Sequence, residues 1–168
     1  MNVIIRYTAA ALIFLALQVY LLDHLILWQV ARPAVFLLFL LTLPFSLPAA
    51  PRFLIAFGMG IMVDWLGATP ILGLNAFAAV LMVAVRDRLV GLLTASNYRA
   101  VGDITLSKQN ALWLVSYLLP LIVLFHLTYF WLEDFSFQRF LTTLLKTGAS
   151  SLYTFLLCFG LVYLFYRS

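Results

Sequence analysis

The sequence predicts an all-α membrane protein: one integral domain over residues 1–168, built as a six-transmembrane-helix bundle with both termini on the cytoplasmic side. Three observations carry that expectation. The composition is 65% hydrophobic and 10% charged with a mean hydropathy of +1.10, outside the range of water-soluble domains. Apolar stretches recur along the chain, and at about 20 residues per span the length admits five or six helices joined by short loops. Lys and Arg are distributed unevenly between alternate loops. The same figures leave no space for a separate soluble catalytic module and exclude disorder.

The first apolar stretch, Tyr7 to Leu22, follows Arg6 and ends at Asp23-His24, where a cleavable leader would carry small residues; it reads as an uncleaved anchor. The second runs over 34–47. The third, Phe53 to Val85, holds 33 residues, about 50 Å as a helix, too long for one span and short for two. Its middle, Gly67-Ala68-Thr69-Pro70, reads as a turn, because Pro cannot continue a helical hydrogen-bond ladder. The stretch therefore divides into spans 53–66 and 71–85. Spans 111–132 and 141–165 complete the set, and 86–110 is the long polar loop.

Charge tests that division, since cytoplasmic loops are enriched in Lys and Arg. With six spans the inner side carries Arg6, Arg52, Arg86, Arg88, Arg99, Lys108 and Arg167, seven of the ten basic residues. Arg32 and Arg139 stay outside, and Lys146 falls in the last span. A five-span arrangement would move Arg86, Arg88, Arg99, Lys108 and Arg167 out. Trp28, Trp65 and Trp131 then share the outer interface, with Trp113 and Tyr166 at the inner one. The 86–110 loop reads as a surface held by anionic headgroups or as a docking surface for a cytoplasmic partner. The basic residues are scattered singly, which argues against nucleic acid as a partner.

Asp64 is the acidic residue inside an apolar span, so it should face protein or trapped water. Ala56, Gly60, Asp64 and Gly67 recur at helical spacing, giving a face of small residues that lets a neighbouring helix approach closely. Gly73, Ala76 and Ala79 answer from the next span, and the Asn75 amide is placed to reach Asp64 across the turn. Asp64 reads either as a structural hydrogen-bond anchor or as a contact to a partner, ion or proton path. His126 and Glu133 lie seven residues apart on one face, at the level of Asp23, His24 and Asp134, but without the spacing of a helix-borne metal site; no metal and no cofactor are expected. Cys158 reads as packing, and Ser116, Ser150 and Ser151 as helix-face hydroxyls. No paired acids, nucleophile with base, or phosphate loop is present, so an enzyme is not expected.

The segment Gly58-Met-Gly60-Ile-Met-Val-Asp64, the turn after it, and Leu72-Gly73-Leu-Asn75-Ala76 resemble the MreD family of rod shape-determining membrane proteins. Arg32-Pro33 opening the second span, Leu47-Pro48 closing it, and the run from Phe125-His126 through Glu133 to Phe137 extend the resemblance over essentially the whole chain. It implies a non-catalytic scaffold of the cell-wall elongation complex in the bacterial inner membrane. The implied partners are MreC, MreB, RodA and a class B penicillin-binding protein, with membrane lipids around the bundle. The implied fold is that of the substrate-binding subunits of energy-coupling-factor vitamin transporters, and Gly58, Gly60, Asp64 and Gly73 match the family's central motif. A transport subunit is the competing reading. It is disfavoured by the absence of Ala-x-x-x-Ala in the first helix and by an expected lack of converging polar side chains. On the scaffold reading, the small-residue face would receive the single transmembrane helix of MreC.

Overall fold

A computed structural model describes residues 3–25, 27, 30–67, 71–94, 109–135 and 139–166. Trp28, the turn residues Ala68 to Pro70, loop residues 95–108 with Arg99 and Lys108, Phe137 and Arg167 lie outside them. The described chain is helical, with one isolated bridge between Leu27 and Ala31. Helix α1 spans Val3–Ala16 and continues through a π turn, Leu17–Leu21, and a 3-10 turn, Leu22–His24. Helices α2 (Phe36–Leu41), α3 (Ala49–Leu66), α4 (Leu74–Leu93), α5 (Ala111–Asp134) and α6 (Phe140–Tyr166) follow. Among the described residues four helices are long and apolar enough to cross a membrane: α1 with its extension to His24, α3, α5 and α6.

Two boundaries differ from the sequence expectation. Span 34–47 is helical only over the six residues of α2, about 9 Å. Pro33 and Pro44 bracket this helix, and neither can donate a backbone hydrogen bond. The polar loop expected from residue 86 is helix as far as Leu93, because Arg86 and Val90 extend the buried face that begins at Asn75, Ala79 and Met82. Those positions recur at 3.6-residue spacing, so the charged run Arg86-Asp87-Arg88 rides on a helix already fixed by packing.

Helix α2 is the centre of the molecule, with every residue from Phe36 to Leu41 buried. Around it α3 packs on α4, α4 on α5, and α5 on α6. Phe36 meets the Phe125 ring edge-on at 5.7 Å, and Phe14 of α1 packs at 6.3 Å from Phe39. A helix this short has few internal hydrogen bonds, and in an apolar interior its unpaired backbone groups need protein partners. They come from side chains at both ends. Ser150 accepts from the Arg32 amide, Thr154 from Ala34, and Gln18 Oε1 from Val35 and Phe36. At the far end Arg86 donates to the carbonyls of Leu40 and Leu43, and Tyr117 donates to Leu41. Arg86 itself is fully buried, bonded through Nε to the Tyr117 hydroxyl at 2.8 Å and lying 3.9 Å over the Phe45 ring.

Candidate functional site

The end of the bundle nearer Arg32 carries two linked polar features, a joint between α3 and α4 and a cavity beside it. In the joint, Asp64 Oδ2 accepts from the amides of Gly73 (3.0 Å) and Ala76 (3.3 Å), while Oδ1 accepts from the Asn75 amide (3.2 Å) and from Asn75 Nδ2 (2.9 Å). The carboxylate thus caps the first turn of α4, where unpaired N–H groups and the helix dipole both favour negative charge. Gly73 sits at φ 97°, a left-handed conformation that favours glycine. Gly60 faces α4 so closely that a Cβ there would lie 2.4 Å from the Ala76 Cα. At Gly67 an added Cβ would lie 2.5 Å from Asp23 Oδ2.

These contacts correct the expected use of the small-residue face. Gly60 and Asp64 pack on the chain's own α4 and Ala56 is buried, so these positions are not open to another protein's helix. Gly58 takes no part in the joint: a Cβ there would meet nothing within 4 Å.

The cavity occupies about 60 Å³ and is lined by Gln18, Asp23, Arg32, Asn75, His126 and Tyr129 together with apolar side chains. A converging polar set therefore exists, contrary to the sequence expectation. The π turn directs Gln18 inward, where Nε2 donates to Asp23 Oδ1 at 2.8 Å and to the buried Pro33 carbonyl at 2.9 Å. His126 is a core contact: Nδ1 lies 3.0 Å from the Ile122 carbonyl, and Nε2 lies 3.3 Å from the Arg32 carbonyl and 3.4 Å from Thr154 Oγ1. Arg32 Nη1 lies 3.4 Å from the Tyr129 hydroxyl and 3.6 Å from Glu133. Glu133 continues into a network in which Lys146 lies 3.2 Å from Asp134 and Arg139 lies 3.8 Å from the same carboxylate. Among the described residues no group of three His, Cys, Asp or Glu side chains is arranged to hold a metal.

Sequence reasoning missed Gln18, Tyr129, Thr154 and the capping role of Ser150. Gln18 had a legible signal, a polar side chain within the first apolar stretch, whereas the others depend on which helices become neighbours. At the opposite end it missed Arg86 with Tyr117, and the Arg52–Asp87 pair, bidentate at 2.5 and 2.7 Å, which ties α3 to α4. Set against known proteins, the chain matches no protein-family model, no curated protein and no solved structure.

Proposed function

We propose that this chain is a non-catalytic membrane scaffold of the MreD type, holding the transmembrane helix of MreC within the cell-wall elongation complex that includes MreB, RodA and a class B penicillin-binding protein. The observation that carries the reading is the α3–α4 joint. Of the residues that carry the family resemblance, Gly60, Asp64, Gly73 and Asn75 act together as one close-packed, capped hairpin, with Gly58 of the same motif outside it. Six crossings with both ends cytoplasmic belong to the same proposal. Arg32 meets Tyr129 and Leu41 meets Tyr117, positions twelve residues and so about 18 Å apart along α5. The partly unwound segment around α2 thus follows much of the bundle's depth. Helix α4, with 20 residues, is about 30 Å long.

The MreC-binding face moves from the small-residue stripe to an open apolar groove of about 470 Å³ lined by Phe77, Leu127, Thr128, Trp131, Leu132, Phe140 and Leu144. Aromatic side chains around an apolar groove suit close packing of a helix in lipid. Photocrosslinkers at positions 77, 127 and 144 test this in rod-shaped cells. The expected result is an adduct with MreC from the groove and none from buried position 76 or from exposed positions 12 and 13 on α1. Absence of groove adducts, or equal adducts from α1, counts against it. Asp64→Leu is expected to weaken MreC co-purification and round the cells.

A further inference from the structure

We propose that the cavity beside Arg32 binds a compact zwitterion, in which a primary ammonium and an oxyanion are carried on one small molecule or one lipid headgroup. This goes beyond the scaffold role and does not depend on it. At about 60 Å³ the cavity holds more than a single water, which needs about 10–15 Å³. Its polar lining supplies both halves of the recognition. Gln18 occupies Asp23 Oδ1, and Asn75 gives its Nδ2 to Asp64; among the described residues Asp23 Oδ2 and Asn75 Oδ1 receive no hydrogen bond. They are acceptors for an ammonium. Tyr129 and Glu133 lie against Arg32 Nη1, but among the described residues Nε and Nη2 of Arg32 have no hydrogen-bond partner. The Tyr129 hydroxyl, accepting from Arg32, retains its own proton to donate. These are donors for an oxyanion.

Among the described residues Asp23 and Arg32 line the same cavity without forming an ion pair within 4.0 Å. A guest bearing one sign of charge would satisfy one of them, whereas a guest bearing both satisfies the two together, and partly buried charges favour such compensation. Gln18 and His126 are already engaged with neighbouring groups and hold the wall in shape. Leu22, Val63 and Phe125 face the same space and suit a short apolar linker. A free amino acid and the ethanolamine phosphate head of a lipid share this chemistry.

Thermal unfolding of the purified protein in detergent distinguishes them, using glycine and glycerophosphoethanolamine as probes and methylamine and acetate as half-ligands. A true ligand at ten times its Kd is expected to raise Tm by about 3 °C, with each half-ligand raising it by less than about a third of that. Protection by glycine assigns a free amino acid, and protection by glycerophosphoethanolamine alone assigns the lipid head; both support the site. Asp23→Asn and Arg32→Gln are each expected to weaken binding at least about tenfold. Protection by neither probe, equal protection by methylamine or acetate alone, or wild-type affinity in both folded variants overturns it. The half-ligand comparison uses the unmodified protein, so it decides the matter even where a variant does not fold.

Discussion

The two ends of α2 solve one physical problem in opposite ways. At the Arg86 end a buried guanidinium, stacked on the Phe45 ring, and a tyrosine hydroxyl take up the carbonyls of Leu40, Leu41 and Leu43. At the Arg32 end Ser150, Thr154 and Gln18 satisfy the backbone amides, while Asp23, Asn75 and Arg32 line a cavity. One end uses its charge to complete a helix. The other keeps charge in reserve. Polar side chains in a membrane bundle are thus not a uniform signal of function: the same residue type, arginine, is a helix cap at position 86 and a cavity wall at position 32.

Substitutions at the two ends and in the α3–α4 joint test this difference. Arg86→Met should have the largest effect, because it orphans the buried Leu43 carbonyl, leaves the Leu40 carbonyl with the Leu43 amide alone and removes the donor to Tyr117; detergent unfolding should register a loss of about 2–4 kcal/mol. Asp64→Leu removes the acceptor of four hydrogen bonds and should cost about 2–3 kcal/mol by the same assay. At Gly60 an added methyl meets backbone, so Gly60→Ala is expected to cost about 1–3 kcal/mol. Gly58→Ala, with open space, should be neutral or stabilise by up to about 1 kcal/mol through helix propensity. That pair separates the two glycines of one motif. Ser150→Ala and Thr154→Val should each cost about 1 kcal/mol, the smallest losses in the series.

Much of this was legible in the sequence for specific reasons. The apolar stretches and the turn after Leu66 define α1, α3, α5 and α6 because hydropathy and breakers act locally. The meeting of Asp64 with Asn75 was legible because both flank a short turn and a buried carboxylate must find donors. Arg86 was not, since three adjacent charged residues at a predicted span end look like a solvated loop. Its burial follows from the helical spacing that links it to Asn75, Ala79 and Met82, a pattern obscured by the charges beside it. The shortness of α2 and the cavity were also hidden. They arise from side chains up to 120 residues apart, as in the bond between Ala34 and Thr154, and single-sequence periodicity carries no information about that pairing.

Whether one end of α2 is closed for folding and the other left incomplete for binding is decided by the unfolding free energies of Arg86→Met and Arg32→Gln, measured side by side without added ligand. The Arg86 variant is expected to lose at least about 2 kcal/mol, and the Arg32 variant, whose guanidinium is partly exposed and weakly paired, to stay within about 1 kcal/mol of the parent. Equal losses, or a larger loss at Arg32, would contradict it.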